Sequence, residues 1–414
     1  MKIFKFGGAS VKDSSSVKNV VKVLKTIGFE NTFMVFSAMG KTTNALEEVV
    51  QKYFAKENFE DTIQEIKDFH TSIAKELFED VLSINSEINN FFLELTDFLK
   101  RNKSPNYNYV YDQVVCCGEL ISTKIVATYL NYVNIPTNWI DVREFIKTDS
   151  TYREGKVNWK KTKIAFQNLD KNTSYLTQGF IGSDENGFTV TLGREGSDYT
   201  AAIIAYCLEA ESMTIWKDVS GVLNADPRYF SETQLLNHIS YEEAIELAFY
   251  GASVIHPKTM QPLQKKGIPF FVKSFIDPLK NGTSVKNGVP LEPYVPCFIV
   301  KKNNILLTAS TKDFSFIAED SLSQIFMLLS KYSIKVSLMQ ISAISLSLVL
   351  EDKFNNIALL HEDLKENYII QLINNVSLYT VRHFNNQAKE TAMKGKIILL
   401  EQIIKETLQL VVKE

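Results

Sequence analysis

Cysteine motifs, long apolar runs and a secretion signal are all missing from this 414-residue chain. Its four cysteines, Cys116, Cys117, Cys207 and Cys297, form no CxxC pair, which argues against a zinc site or a disulfide framework and favours a reducing compartment. No run of about 18 apolar residues is present, and residues 2–6 already have the pattern of a strand rather than of a signal peptide. We therefore expect a cytoplasmic protein that does not enter a membrane.

A strong excess of charge is also absent. The formal net charge is -3, and the lysines and arginines are spread along the chain, so we expect no nucleic-acid partner. Apolar residues make up 45% of the chain and charged residues 22%, a composition typical of globular proteins. The length exceeds that of one ordinary hydrophobic core and predicts two or three domains.

Strand–loop–helix units open the chain. A strand at residues 2–6 is followed by Gly7 and Gly8 and then by a helix, and a second buried strand at 31–36 is followed by a polar loop and another helix. These units predict an α/β fold with a mostly parallel sheet sandwiched by helices. Apolar residues at helical spacing predict a helical insert at about 47–105. Further strands are predicted at 137–142, 175–181, 188–192 and 213–216, the middle two joined by a hairpin turn.

Three segments are predicted from the second half of the chain. Glycines and prolines make 277–296 a predicted linker, so we place the catalytic domain at 1–285. Residues 298–375 have the order strand–helix–strand–strand–helix–strand, which predicts a ferredoxin-like module. Residues 376–414 carry three strand patterns and one short helix, which we interpret as an abbreviated second copy.

The first candidate site is Lys5 with Gly7 and Gly8. Glycine lets backbone N–H groups approach an anion closely, and lysine supplies a cation. This is not a Walker A loop, because Val35 stands where the first glycine of that motif would precede Gly40. Two glycines after a strand also occur in ordinary turns. A lysine inside an apolar strand favours phosphate binding, since a buried ammonium is costly without an anion.

The second candidate site is residues 193–200, where a strand end turns into an apolar helix. Ser197 is a predicted N-cap of that helix. Arg194 could grip a carboxylate with two hydrogen bonds, and Asp198 could meet an ammonium. In the alternative interpretation, Ser197 and Asp198 only cap the helix, and Arg194 pairs with Glu195 in solvent.

Two further polar clusters are candidates for ligand binding. Glu119, after Gly118, opens a predicted apolar helix, where it either interacts with the helix dipole or binds a ligand. The second cluster is a group of charged residues that follows the end of the strand predicted at 213–216, where open parallel sheets bind ligands. Its members are Lys217, Asp218, Asp226 and Arg228. His256 is predicted to be structural, because no second histidine or carboxylate pattern accompanies it, and we expect no metal site built from protein side chains.

Taken together, these motifs resemble those of the aspartate kinases of the amino-acid kinase family. The family's opening KFGGTSV corresponds to KFGGASV at 5–11, and its GRGGSDYTA corresponds to GREGSDYTA at 193–201. The serine and threonine of the family's second loop fall on Ser37 and Thr43. The family's GE pair falls on Gly118 and Glu119, and its HP pair on His256 and Pro257.

The resemblance implies transfer of a phosphoryl group from ATP, with Mg²⁺, to the β-carboxylate of aspartate, as the first step of the lysine, threonine and methionine branch. It implies that Arg194 holds the α-carboxylate of aspartate, that Glu119 and Asp198 lie near its ammonium, and that Ser37 and Thr43 help to seat it. The catalytic group facing the phosphoryl would comprise Lys5, Gly7, Gly8, Ser197 and Asp198. Nucleotide contacts would come from Lys5, Gly8, Lys217, Asp218, Asn224, Asp226 and Arg228. The C-terminal modules resemble ACT domains, which implies a homodimer formed through them.

The chain departs from the family pattern at several positions. Near the phosphates, Ala9 replaces a threonine and Glu195 a glycine. On the nucleotide side, Leu223 replaces a tyrosine and Ser253 a lysine, with Lys217 or Lys258 as hypothetical substitutes for that lysine. In the first ACT module, Ser337 and Ala343 stand where lysine-regulated relatives often carry acids, so we expect weak or absent inhibition by lysine.

Two other functions remain as alternatives. The first is a family member acting on glutamate, N-acetylglutamate or a nucleoside monophosphate. Arg194, Glu119 and Asp198 favour a free amino acid, because an acylated amine has no ammonium for two acids to meet. The second is a non-catalytic ACT sensor, against which the retention of Lys5, Arg194 and Asp198 argues.

Overall fold

The computed structural model describes residues 1–252 and 255–413, which divide into two compact units. Unit 1 comprises Met1–Val222, Leu235–Ala244 and Ile255–Leu291. Unit 2 comprises the remaining described residues, 223–234, 245–252 and 292–413. No helix in the described part of the chain is long and apolar enough to cross a bilayer.

Unit 1 is built on an eight-stranded sheet. Its strands, with two more that form a separate hairpin, are β1 (Lys2–Phe6), β2 (Thr32–Phe36), β3 (Asn138–Trp139), β4 (Tyr175–Gln178), β5 (Ile181–Ser183), β6 (Thr189–Thr191), β7 (Ser212–Lys217), β8 (His238–Ser240), β9 (Phe270–Ser274) and β10 (Thr283–Lys286). The sheet order is β3-β4-β2-β1-β7-β9-β10-β8. Neighbours from β3 to β9 are parallel, whereas β10 runs antiparallel to β9 and parallel to β8. Strand β1 therefore lies in the middle of the parallel part.

Helices connect these strands. They are α1 (Ser14–Ile27), α2 (Thr42–Ala55), α3 (Glu60–Leu77), α4 (Leu82–Arg101), α5 (Tyr107–Tyr132), α6 (Trp159–Phe166), α7 (Gly196–Leu208), α8 (Tyr241–Tyr250) and α9 (Pro257–Lys266). Helix α8 begins in unit 1 and ends in unit 2. Side chains of α1 to α5 share one core with the sheet, in which Phe6 stacks on Phe36 with ring centroids 4.9 Å apart. The predicted α/β class, with a mostly parallel sheet, is confirmed.

Two local predictions in unit 1 are wrong. The strand predicted at 175–181 is broken, because Phe180 adopts φ +74° and turns the chain from β4 into β5. The hairpin is therefore β5 with β6, outside the main sheet. The predicted linker at 277–296 contains β10, which the Thr283 hydroxyl anchors by donating to Leu236 O at 2.6 Å.

Unit 2 contains a six-stranded antiparallel sheet. Its elements are β11 (Cys297–Thr311), α10 (Glu319–Lys331), β12 (Lys335–Ile341), β13 (Ser345–Glu351), α11 (Ile357–Leu364), β14 (Tyr368–Arg382), α12 (Asn386–Met393), β15 (Ile397–Ile404) and β16 (Thr407–Lys413). The sheet order is β12-β13-β11-β14-β16-β15. The ferredoxin-like module runs from the second half of β11 to the first half of β14, in the predicted order.

Strands β11 and β14 each run through two modules. Leu306 to Thr311 pair with the first half of β14, whereas Cys297 to Lys301 pair with Arg382 to Leu378. The same second half of β14 pairs with β16, so the second module takes one strand from before the first module. Each module has its own core, around Ile325 and Leu346 in the first and around Tyr379 and Leu408 in the second. The segment predicted as an abbreviated copy is thus completed by residues 297–301.

Candidate active site

A buried ion pair lies at the C-terminal end of β1. Lys5 Nζ is 2.6 Å from Asp198 Oδ1, and the two side chains are 10% and 4% exposed. Lys5 comes from the central strand, between β2 and β7, and Asp198 from the first turn of α7. The buried ammonium predicted to need an anion therefore has a carboxylate beside it.

The loops that follow β1 and β2 touch each other. A Cβ atom on Gly8 would lie 2.9 Å from Ala38 O, which only a glycine avoids, and Gly40 N donates to Gly8 O at 3.3 Å. A Cβ atom on Gly7 would lie 3.4 Å from Lys5 Nζ. The Lys5 ammonium is thus held next to the backbone of the glycine loop, where backbone and cation can meet one anion.

Glu119 lies beside the second of these loops. It sits in the middle of α5, fully buried, so the predicted position in a first helical turn is wrong: the helix begins twelve residues earlier, at Tyr107. Burial raises the pKa of Glu119 to about 8, against hydrogen bonds from the Ala38 N–H and the Thr43 hydroxyl that lower it. Its Oε2 makes no hydrogen bond to any described residue.

The backbone of Ser37 connects to α5, the helix that carries Glu119. Ser122 Oγ, from α5, donates to Ser37 O at 2.8 Å, and Ser37 N donates to Phe6 O at 3.2 Å. The structure therefore brings three of the predicted substrate residues, Ser37, Thr43 and Glu119, to one place. The contact between Gly8 and Ala38 connects them to the glycine loop.

The turn that precedes α7 carries Arg194. Helix α7 begins at Gly196, with Glu195 as its N-cap in the left-handed conformation at φ +53°, so the predicted N-cap at Ser197 is wrong. Tyr199 N donates to Glu195 O at 3.1 Å, so the first hydrogen bond of the helix is accepted by Glu195 and not by Ser197. Arg194 is exposed and makes no hydrogen bond or ion pair with any described residue, so the predicted solvent pair with Glu195 is absent.

Ser197 packs against the end of β4. A Cβ atom on Gly179 would lie 2.4 Å from Ser197 Cβ, so the glycine allows the first turn of α7 to approach the loop after β4. Ser197 and Asp198 therefore both lie in the buried first turn of α7. Ser197 is close to Gly179, after β4, and Asp198 is close to Lys5 of β1.

The residues predicted on the nucleotide side divide between the two units. Lys217 ends β7 and Asp218 follows it, exposed, in unit 1. Asn224, Asp226 and Arg228 belong to unit 2. There the Asp226 carboxylate accepts from the Arg228 guanidinium at 2.5 and 3.0 Å, while Asn224 accepts from Gln234 N and donates to Pro296 O. Ser253 lies outside the described residues.

His256 and Lys258, on either side of Pro257, both make hydrogen bonds within unit 1. His256 caps α9, its Nδ1 accepting from Lys258 N at 3.2 Å, which confirms the predicted structural role. Lys258 Nζ donates to Leu192 O at 2.9 Å and lies 4.7 Å from the centre of the Tyr199 ring. From the sequence alone, Lys258 is a candidate only for the nucleotide side. No local pattern indicates this contact, because Leu192 and Lys258 are far apart in the chain.

Comparison with known proteins identifies the family. Residues 1–274 match the model of the amino acid kinase family. The chain is 32% identical over 354 residues to lysine-sensitive aspartokinase 3 of Escherichia coli (strain K12), a match that covers 84% of this chain and 78% of the relative. The fold superposes on E. coli aspartokinase III in complex with lysine and aspartate (T-state), with TM-score 0.83 and 25% identity, and in complex with aspartate and ADP (R-state), with TM-score 0.82 and 26% identity. Each match covers 100% of this chain and 96% of that structure. The chain belongs to the amino acid kinase family and, within it, to the aspartokinases.

Proposed function

We propose that the chain transfers the γ-phosphoryl group of ATP to the β-carboxylate of L-aspartate, forming ADP and 4-phospho-L-aspartate. The observation that carries the proposal is the buried Lys5–Asp198 pair beside Gly7, connected through Gly8 and Ala38 to Glu119. This places a cation next to a backbone anion site and, through one loop, next to a buried acid. The E. coli relative has been observed with aspartate and ADP.

The acceptor side is arranged for a free amino acid. Arg194 makes no hydrogen bond or ion pair with the described residues, so its guanidinium is available to hold the α-carboxylate with two hydrogen bonds. Glu119 keeps one unbonded oxygen for the ammonium. The reacting β-carboxylate has a reference pKa of about 3.9 and is ionised near neutral pH, so it attacks phosphorus without a general base.

The phosphoryl side relies on positioning and charge. ATP enters as its Mg²⁺ chelate, and Lys5, the backbone of Gly7 and Gly8, and the first turn of α7 at Ser197 receive the γ-phosphoryl group. Charge spreads over the equatorial oxygens in the transition state, where a fixed ammonium and N–H groups stabilise it without reorganising. Asp198 fixes the Lys5 ammonium at the end of β1. Lys217, Asp218, Asn224, Asp226 and Arg228 complete the nucleotide side of the proposal.

A hydroxamate assay tests the proposal. Purified protein is incubated with ATP, Mg²⁺ and hydroxylamine, with aspartate, glutamate or N-acetylglutamate as acceptor. We expect the hydroxamate of aspartate alone, and its loss in Arg194→Met but not in Arg101→Met, since Arg101 lies exposed on α4. Hydroxamate formed only from another acceptor would support the alternative kinase, and absence of turnover with every acceptor would support the sensor.

The proposal extends to a homodimer formed through the C-terminal sheet. Strand β12 is an edge strand, and Met339 and Ile341 on it and Phe326 and Met327 on α10 are exposed apolar side chains. An exposed apolar edge favours association with a second copy. Light scattering should give twice the chain mass of 47.1 kDa. Met339→Lys should shift the protein towards monomer, whereas Leu93→Lys, at an exposed apolar position on α4 outside this sheet, should not.

Weak inhibition by lysine also remains part of the proposal. Ser337 lies at an irregularity in the pairing of β12 with β13, and Ala343 is exposed in the loop between them. Neither offers an anionic group to an ammonium-bearing effector. Titration of lysine into the hydroxamate assay should leave activity nearly unchanged at low millimolar concentration. Strong inhibition in that range would contradict this part of the proposal.

A further inference from the structure

The Arg194 turn is held at both of its ends by contacts from elsewhere in unit 1. Leu192, which follows β6, is fully buried, and its N–H donates to Phe180 O at 2.8 Å. The chain then turns at Gly193, with φ +77°, and Gly196 N donates back to Gly193 O at 3.0 Å. Arg194 itself has no partner among the described residues. Its position is therefore determined by the backbone on either side of it.

Lys258 contacts both sides of this turn. Its ammonium donates to Leu192 O at 2.9 Å, before the turn, and lies 4.7 Å from the centre of the Tyr199 ring, after it. The side chain is half-buried, and burial lowers the pKa of Lys258 while Glu154 acts in the opposite direction. The N-terminus of α9 that carries Lys258 is itself fixed by the His256 cap and by Pro257. A charged donor at a capped helix end thus contacts residues 192 and 199, on the two sides of the turn.

We propose that Lys258 is a positioning residue for the acceptor site: it fixes the 192–199 turn so that Arg194 meets the α-carboxylate of aspartate. This inference rests on the proposed function and differs from the hypothesis that Lys258 contacts ATP. The ammonium is already committed to a buried carbonyl and to a ring of the same turn. Displacement of a binding group by a fraction of an ångström lowers the efficiency of a reaction strongly, because the bound geometry has to be near-reactive.

Kinetics of Lys258→Met test the inference. The substitution keeps an unbranched apolar side chain of nearly the same length and removes the donor. We expect the KM for aspartate to rise about tenfold or more, with the KM for ATP nearly unchanged. Lys258→Arg, which keeps a charged donor, should restore most of the affinity for aspartate. Lys265→Met is the matched control, because Lys265 is exposed on the same helix. A rise in the KM for ATP alone would overturn the inference and assign Lys258 to the nucleotide.

Hydrogen exchange supplies a readout that does not depend on activity. Amides of residues 193–196 should exchange faster in Lys258→Met than in wild type or Lys265→Met, since one end of the turn is released. Unchanged exchange would overturn the inference even if the kinetics changed. If wild type forms no aspartyl hydroxamate, the proposed function fails, while exchange still decides whether Lys258 holds the turn. Lys258→Gln provides the same comparison if the methionine variant does not fold.

Discussion

Lys5 Nζ lies 2.6 Å from Asp198 Oδ1, with both side chains almost completely removed from solvent. The pair joins the central strand β1 to the first turn of α7, the two elements that flank the proposed phosphoryl position. Removing one member of a buried ion pair leaves the other charge without compensation, whereas removing both does not. In the proposed function, stability and phosphoryl transfer therefore both depend on this contact.

Lys5→Met should lower the free energy of unfolding by about 3–5 kcal/mol and slow phosphoryl transfer by a factor on the order of 10² to 10³. The double variant Lys5→Met with Asp198→Asn should be more stable than Lys5→Met alone, yet equally inactive. Urea denaturation and the hydroxamate assay measure the two effects. Losses of stability that simply add in the double variant would contradict a direct coupling of these side chains.

Glu119 should make stability depend on pH. Its pKa is raised from 4.5 to about 8 in the folded chain, so the folded state holds a proton that the unfolded state releases. The resulting stabilisation is complete below about pH 4.5 and is lost as the pH rises through about 8. Between about pH 5 and pH 8, the free energy of unfolding should therefore fall more steeply in wild type than in Glu119→Gln.

Urea denaturation over this pH range checks the effect. Glu65→Gln, at an exposed position on α3, should retain the slope of wild type. Parallel pH profiles for wild type and Glu119→Gln would show that the buried carboxyl does not hold the proton.

Glu195→Gly should stabilise the chain. The left-handed conformation costs a non-glycine residue about 1–2 kcal/mol, while glycine loses about 0.5–1 kcal/mol through greater freedom in the unfolded state. One carboxylate oxygen of Glu195 is also buried without a hydrogen bond. We expect a gain of about 1 kcal/mol in the free energy of unfolding. Glu195→Ala removes the carboxylate but keeps the strain, so it should gain less, and a glycine variant less stable than the alanine variant would contradict the argument.

Gly8→Ala and Gly7→Ala should differ in their effect on stability. The added Cβ at position 8 would meet the Ala38 carbonyl at 2.9 Å, so this variant should lose about 1–3 kcal/mol of stability. The Cβ at position 7 would make only an ordinary contact with Lys5 Nζ, and φ at this residue is -81°, so stability should change by less than about 0.5 kcal/mol. Activity should fall in both, because each methyl enters the proposed phosphate loop. Thermal unfolding separates the two cases.

Part of this molecule could be predicted from local pattern. Lys5 could be placed at a strand end because β1 is a short apolar run followed by glycine, and the fold class followed from repeated strand–helix units. Glu119 was misplaced because the polar and aromatic residues 107–113, which form the first turns of α5, have no clear helical periodicity. The N-cap of α7 was misplaced because Ser197 has the better capping side chain, whereas the backbone of Glu195 takes that position.

Long-range pairing accounts for the other failures. Nothing near Cys297 or Lys301 indicates that they pair with residues some eighty positions later, so the strand that completes the second module could not be assigned. The contact of Lys258 with Leu192 spans 66 positions of the chain. Both depend on tertiary structure that a local pattern does not contain.

The shared strands β11 and β14 make the two C-terminal modules nested rather than sequential. At the crossing point, Asn303 and Asn375 both adopt left-handed conformations, at φ +60° and +57°, and the adjacent Asn304 pairs with Val376. The chain thus leaves the second module and returns to it on neighbouring antiparallel strands. In topological terms, the whole first module is an enlarged hairpin loop of the second, so a short turn joining residues near 301 and 378 would excise it without redirecting the path of the remaining chain.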